Sequence, residues 1–441
     1  MEKLPRDVAL DIFSRLPITS LMQIKCVCRS WRALGKDPRL LIMYQAIANK
    51  RNPCLILHCD SPIQNSLHFV ESSQIRHHEH YTNNARRINA QIRYVAPEFH
   101  VVGSCNGLLC ISNALYFNPL LVFNPLTTNY IRLPNTTQYP KQQEVAFGFG
   151  FHPTTMEYKI VWISYLNNYY QGHQLPLQSR VQVLTLGSNA WRISVSPRCK
   201  LEQGSSEALV NGNLHWVTTR HKHRPGPCLR IVCFDLAEEK FREIESPGCG
   251  ILNICNFHLV VLGGCLSAVV CHDDGKIDIW IMKEYGSKES WTKEYVIGES
   301  LFRSLSERRN SRPSSRIWKR PTLSKGKIQV LCSLRNGEIL LEYENGVLVS
   351  YNTESQEFQQ LMIHGLPKWF STIVHFETLY PADENSIEGG GGRSVTALLP
   401  VFSSYIFLLG RLPEIIFSLC YGCGGGVTTT ALLQVVVVGF V

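Results

Sequence analysis

Apolar positions recur at helical spacing only at the start of the chain. Leu4, Val8, Ile12 and Leu16 fall every fourth residue, with Ala9 and Phe13 beside them, and mark the stripe of a short helix. Pro5 stands where a first helical turn tolerates proline, because the missing N–H would have no partner there. Leu16-Pro17 ends the helix, since proline disfavours helical geometry in the residue before it. Thr19 or Ser20 can cap a second helix, whose stripe is Leu21, Ile24, Cys28 and Trp31, with Val27 and Leu34 at its edges. Asp37-Pro38 opens a third through Leu40, Leu41, Tyr44 and Ile47. Three such short helices cannot bury this much apolar surface among themselves. Leu4, Ile12, Leu16, Leu21 and Trp31 therefore need a cover, supplied either by the rest of the chain or by a partner.

Beyond residue 48 the period changes. Residues 49–94 read as a linker with first strands at Cys54-Leu55-Ile56-Leu57-His58 and Leu67-His68-Phe69-Val70. From 95 to 381, short β-type runs alternate with turn signals, and two motifs recur. The first is Asn/Asp-Gly-x-Leu/Ile, at Asn106-Gly107, Asn211-Gly212, Asp274-Gly275 and Asn336-Gly337; these pairs supply the positive φ of tight hairpins. The second is an aromatic residue and Asn or Asp, followed by an aromatic at +7 and an aliphatic at +10. It occurs as Phe123-Asn124 with Tyr130 and Leu133, Phe234-Asp235 with Phe241 and Ile244, and Tyr351-Asn352 with Phe358 and Leu361. Looser copies pair Leu184 with Trp191 and Trp280 with Trp291. Repeated strand units of this kind bury their faces by stacking around an axis, which predicts a β-propeller with a blade count open by one or two; an irregular β-sandwich is the competing reading. The fold class is thus α+β multidomain: a small N-terminal three-helix module, then an all-β propeller.

Composition adds localised charge. The net charge is +9, and nine Lys/Arg with one acid, Glu307, fall between Arg303 and Lys327. Basic residues of a nucleic-acid-binding fold spread over a surface, so this reads as a basic loop inserted into the β region, and no nucleic-acid partner is expected. A solvated loop, a nuclear-import signal and a phosphate contact stay open for it. The sixteen cysteines are scattered singly in apolar runs, such as Cys110, Cys233, Cys265 and Cys332, and the first apolar residues are interrupted by Asp7, Asp11 and Arg15. Both point to reduced thiols in the cytoplasm or nucleus rather than a secreted disulfide framework. Residues 382–441 form a Gly-rich linker, Gly389 to Gly392, and an oily tail with no charge from Ile415 to Val441. The tail is read as an extension; a membrane anchor and an extra packed β segment are the alternatives.

The parts of an enzyme are missing. There is no Gly-x-Ser-x-Gly elbow and no phosphate-cradling loop. His77-His78-Glu79-His80 lacks a second ligand group at zinc spacing, and Cys420-x-x-Cys423 lacks a second pair, so no metal or cofactor is expected. Cys26-x-Cys28 lies within the second helical stripe and reads as core. His215, Asp235 and Asp278 could line a propeller mouth, but strand and turn roles account for them better.

Leu4-Pro5-Arg6-Asp7, Ile12-Phe13-Ser14-Arg15-Leu16-Pro17 and Cys26-Val27-Cys28-Arg29-Ser30-Trp31-Arg32 together resemble an F-box, over about residues 2–44. The family usually has a branched aliphatic-Leu pair before the Ser, where this chain has Ile12-Phe13. Gly103-Ser104-Cys105-Asn106-Gly107-Leu108-Leu109-Cys110, Phe123-Asn124-Pro125-Leu126-Thr127, Phe147-Gly148-Phe149-Gly150-Phe151, Tyr158-Lys159-Ile160-Val161 and Asn211-Gly212-Asn213-Leu214-His215-Trp216 resemble the plant F-box-associated domain, a kelch-like propeller. The resemblance implies docking on a Skp-type adaptor, and through it on a cullin–RING ubiquitin ligase. By position it assigns Leu4, Pro5, Ile12, Leu16, Pro17, Leu21, Val27 and Trp31 to the adaptor-facing and core set. It implies a non-catalytic receptor that captures a protein substrate. The competing functions are a scaffold that binds the adaptor without promoting ubiquitination, and a propeller enzyme with a helical cap.

Overall fold

The computed structural model describes residues 4–376 apart from 17–19, 22–23, 25–26, 36, 38, 41–42, 45–46, 48–51, 60–64, 72–82, 89–97, 114–118, 127, 137–143, 167–168, 171–172, 175–177, 203, 207, 219–229, 249–255, 273, 299–327, 344–345, 362 and 365–369. The basic segment 303–327, the His77–His80 cluster and the residues after 376 therefore lie outside the described residues. The described chain divides into two compact units, one within residues 1–51 and one of Asn52–Phe376.

In the first unit, two helices are delimited among the described residues, α1 at Arg6–Arg15 and α2 at Arg29–Leu34, and Ser20, Leu21, Ile24, Val27, Arg39, Leu40, Met43, Tyr44 and Ile47 are helical as well. The second stripe is not one continuous helix. Cys28 has extended backbone, φ −156° and ψ 169°, and its Sγ accepts the Trp31 N–H at 3.5 Å, so it caps α2 instead of filling a core. Leu16 has ψ 153°, the extended geometry that Pro17 imposes.

The second unit is a six-bladed propeller. Blade 1 orders Ser371–His375, Cys54–Cys59, Ser66–Val70 and Arg86–Arg87. Blade 2 follows with Phe99–Cys105, Leu108–Asn113, Pro119–Phe123 and Tyr130–Arg132. Glu144–His152, Glu157–Leu166, Gln178–Thr185 and Arg192–Ser194 make blade 3, with Gly204–Ser205 added parallel to its first strand. Blade 4 is Ala208–Val210, Asn213–Val217, Ile231–Asp235 and Lys240–Ile244. Blade 5 is Asn256–Leu262, Cys265–Cys271, Ile277–Met282 and Trp291–Ile297. Ile328–Ser333, Glu338–Tyr343, Val347–Asn352 and Phe358–Leu361 form blade 6. The stretch 49–94 thus contributes three strands of blade 1. The last strand closes the ring by antiparallel pairing, Cys54 opposite His375 and His58 opposite Ser371.

The second motif explains itself in the register. Its +7 partners lie directly opposite on the third and fourth strands: Phe123 with Tyr130, Phe234 with Phe241, Tyr351 with Phe358. The Asn or Asp folds the turn between them. Asn124 Oδ1 accepts the Leu126 N–H, Asp235 Oδ1 those of Ala237 and Glu238, and Asn352 Oδ1 those of Glu354 and Ser355. Five residues past each leading aromatic the backbone turns left-handed, at Thr128, Glu239 and Gln356. The looser Trp280–Trp291 copy differs: Trp291 opposes Met282, and a bulge between Ile279 and Trp280 shifts the register.

Neighbouring blades are joined by buried polar bonds as well as apolar contact. Trp216 Nε1 donates to the Phe147 carbonyl at 3.0 Å, and Trp291 Nε1 to the Glu245 carbonyl at 2.9 Å. The Val330 N–H donates to His258 Nε2 at 3.2 Å, and the Thr372 N–H to Glu342 Oε2 at 2.7 Å. His375 Nδ1 lies 3.1 Å from Ser104 Oγ, which ties blade 1 to blade 2. The Phe-Gly-Phe-Gly-Phe run is shaped by the same contacts. A Cβ on Gly148 would stand 2.5 Å from Leu214 Cδ1, and one on Gly150 2.8 Å from Leu236 Cδ1, so only glycine lets blade 4 close on blade 3.

Candidate functional site

In α1 the sequence places two apolar faces on one helix. Ala9, Leu10 and Phe13 are buried, and Phe13 meets Trp31 edge-on, with centroids 5.1 Å apart. Leu4, Val8 and Ile12 stay exposed, at 37%, 46% and 39%, on the other side. Three aliphatic residues left open to water, two on α1 and one just before it, are what a docking element offers.

The orientation of α1 is fixed by ion pairs. Arg6 Nη2 lies 2.8 Å from Asp37 Oδ2, and Arg39 Nη1 lies 2.9 Å from Asp7 Oδ1. Asp37 also accepts the backbone N–H of Arg39 at 2.9 Å. That bond, with the Arg39 and Arg6 guanidinium groups, holds the Asp37 carboxyl down to about 2. Arg15 pairs with Asp11 one turn back at 3.0 Å.

The expected adaptor residues separate under this geometry. Leu4, Pro5 and Ile12 are exposed, while Leu16, Val27 and Trp31 are half-buried. Leu21 is buried, and Pro17 lies outside the described residues. Val8 belongs to the open stripe although the sequence motif did not single it out. Its spacing, four residues before Ile12 and four after Leu4, was the available signal.

The residues considered for chemistry are engaged structurally. His215 bridges the Ala208 carbonyl through Nδ1 at 3.2 Å and the Tyr285 hydroxyl through Nε2 at 2.9 Å, and burial pushes it down to about 4. Asp235 folds its turn. Asp278 is buried among Lys293, His272 and Lys276, at 2.7, 3.1 and 3.5 Å. Burial pushes its carboxyl up, but the Lys293 and His272 bonds outweigh this and hold it below the ordinary range. Cys105 and Cys332 are pushed up to about 12 by burial, which leaves them protonated and unreactive. Among the described residues no group of three His, Cys, Asp or Glu is placed to hold a metal ion.

Comparison with known proteins agrees with both units. Residues 1–41 match the F-box-like family, and residues 54–380 match the F-box associated beta propeller domain. The chain is 46% identical over 396 residues to the Arabidopsis thaliana F-box protein At3g07870, covering 86% of this chain and 92% of that one. It is 26% identical over 364 residues to the F-box/kelch-repeat protein At3g23880 of the same plant, covering 78% and 88%. It is also 26% identical over 403 residues to the Arabidopsis F-box protein CPR1, covering 86% and 89%. With its open N-terminal helix face and its six-bladed ring, the chain belongs to the F-box proteins that carry an F-box associated β-propeller.

Proposed function

We propose that this protein is the substrate-recognition subunit of a Skp–cullin–F-box ubiquitin ligase. The observation that carries the reading is the open Leu4, Val8 and Ile12 stripe of an F-box-like module, in the same chain as a propeller. Less than half of each of these side chains is still exposed, so on burial against an adaptor each contributes about 1 kcal/mol. The propeller holds a protein substrate, and the recruited enzymes supply the chemistry. The receptor's own contribution is effective concentration: a substrate lysine kept near the charged ubiquitin carrier reacts as if intramolecularly. His215, Asp235 and Asp278 have structural partners, which supports a non-catalytic role for the ring.

The test is co-expression of the full chain with a Skp-type adaptor, followed by size-exclusion chromatography. A stoichiometric complex is expected, and Val8→Asp with Ile12→Asp should abolish it while leaving the propeller folded, because both side chains are exposed. A complex that survives the double substitution removes this docking surface. Cullin co-purifying with the complex, together with ubiquitin transfer to a bound protein, separates a receptor from a scaffold that binds the adaptor alone.

A further inference from the structure

Each blade ends in an outer strand whose far side pairs with no described strand. Such a side is an open row of N–H and C=O groups, and proteins usually blunt it with charge so that no extended chain adds to it. Five of the outer strands carry charged or amide side chains there. Blade 1 exposes Arg86 and Arg87, blade 2 Arg132, blade 4 Lys240, Arg242 and Glu243, and blade 6 Gln359. Blade 5 exposes Val296, but beside Thr292, Lys293 and Glu294. Blade 3 differs. Its outer strand, Arg192–Ser194, exposes Ile193 at 68%, and Val195 just past it is exposed at 67%. These are the most exposed large apolar side chains among the described residues.

The strand is anchored at both ends and on one face. Arg192, Ile193 and Ser194 pair with Val183, Gln182 and Val181. Ser196 Oγ donates to the Ser179 carbonyl at 2.7 Å, which continues that register and sets Arg180 level with Val195. Ahead of the strand, Trp191 Nε1 donates to the Pro134 carbonyl at 2.8 Å. Strand alternation puts Arg192 on the face opposite Ile193, where it meets Glu239 of blade 4 at 2.8 Å and Thr185 Oγ1 at 3.0 Å. The face of Ile193 and Val195 stays open.

Charge and size narrow what fits there. From Tyr158 to Leu201 the chain has no Asp or Glu, while Arg180, Arg192, Arg198 and Lys200 fall around the strand. Arg192 and Lys200 are met by Glu239 and Glu144 from outside that stretch, and Arg198, three residues past Val195, is exposed. Two copies of the chain joined through so short a strand would bury far less than the roughly 1,200 Å² of a stable interface. The site therefore suits a single extended peptide better than a second ring.

We propose that Arg192–Val195 takes up an extended segment of a protein partner as an added outer strand, with aliphatic side chains against Ile193 and Val195 and an acidic residue toward Arg198. Main-chain bonds to the open strand supply affinity, and the alternate side chains supply selectivity. That this partner is the substrate rests on the receptor reading above.

The experiment uses the full chain and a fluorescein-labelled peptide that alternates valine and threonine and ends in two glutamates, read by fluorescence anisotropy. Saturable binding is expected. Replacing two central threonines of the peptide by proline removes ladder donors, and replacing its glutamates by lysine reverses its charge; each should weaken binding about tenfold or more. Ile193→Thr with Val195→Thr keeps strand propensity but removes the apolar surface, and should also lose about tenfold. Ile193→Val with Val195→Ile should retain affinity. Absence of binding, equal binding of the proline peptide, or unchanged affinity in the threonine variant overturns the inference. So does sedimentation of the parent chain as a dimer that the threonine variant breaks, which would assign the strand to a second copy. Urea unfolding checks the variants, and if the threonine variant does not fold, the proline and lysine peptides on the parent chain decide. Adaptor binding by each variant is measured in parallel. Its persistence shows that a failure here is separate from a failure of the receptor reading.

Discussion

His58 and His375 are buried side chains of blade 1, and both reach toward blade 2. His58 stacks on Phe99 with centroids 5.1 Å apart, and His375 bonds Ser104. Burial, with His100 adding to it at His58, pushes them from the ordinary 6.5 to about 3 and about 4. The folded ring therefore keeps both neutral, whereas the unfolded chain takes up protons as soon as the pH falls below 6.5. Their contribution to stability is present above that pH and drains away as the pH falls toward the folded values. Urea unfolding should show a lower midpoint at about pH 5 than at about pH 7, and His375→Gln should flatten that dependence. A midpoint indifferent to pH would contradict the assignment. Gly148 offers a test of different character. Alanine there forces Leu214 and Trp216 apart, an overpacking that costs about 1–3 kcal/mol, readable as a lower urea midpoint. A midpoint at or above that of the parent chain would show that blade 4 accommodates the methyl group.

Within a blade, the third–fourth turn is the repeating unit. Asn124 is fully enclosed and its side chain holds the Leu126 N–H, so Asn124→Ala leaves a turn donor unmet and should cost about 1–3 kcal/mol. At Gln356, where φ is 58°, valine should cost about 1–2 kcal/mol and glycine should be tolerated. Equal denaturation midpoints for the two variants at 356 would rule out strain as the cause. These turns are where the sequence was most legible. An Asx turn fixes the loop length, a fixed length fixes the register, and the register surfaces as an aromatic pair seven residues apart. Other blades hid their pattern for physical reasons. Blade 3 joins its first two strands through residues 153–156 with no Asn-Gly pair, and blade 5 uses Gly263-Gly264 and carries a bulge. Asp274-Gly275 is a turn of the other edge, between the second and third strands of blade 5. In the F-box, helical spacing located α1 but could not divide its two apolar faces. Phe13 and Ile12 are adjacent in sequence, and only packing on Trp31 decides which of them turns inward.

For the whole ring, the blade count was hidden because blade 1 is assembled from both ends of the domain. Ser371–His375 completes a sheet begun at Cys54–Cys59, and no local pattern records a pairing across that distance. A chain ending at Phe370 should therefore lose more than one strand. It leaves Leu55, Ile56 and Leu57, all fully enclosed in the intact ring, without their neighbour, and opens the seam between blades 6 and 1. Size-exclusion chromatography and denaturant unfolding are expected to show an expanded species with a broad transition. A sharp transition at the parental midpoint would mean that the ring closes without this strand.

The same closing strand sets an order of events during synthesis. The F-box residues leave the ribosome before the ring and can fold within a short stretch of chain. Cys54–Cys59 follows almost at once, but its partner strand emerges only after every other blade has been made. Throughout that interval the nascent protein carries an apolar strand with an unsatisfied edge, the kind of surface that chaperones shield and that templates misassembly. A newly made chain thus has its F-box helix long before it has a finished ring. If the proposed receptor role holds, an adaptor that engages early would hold a chain that cannot yet recognise anything.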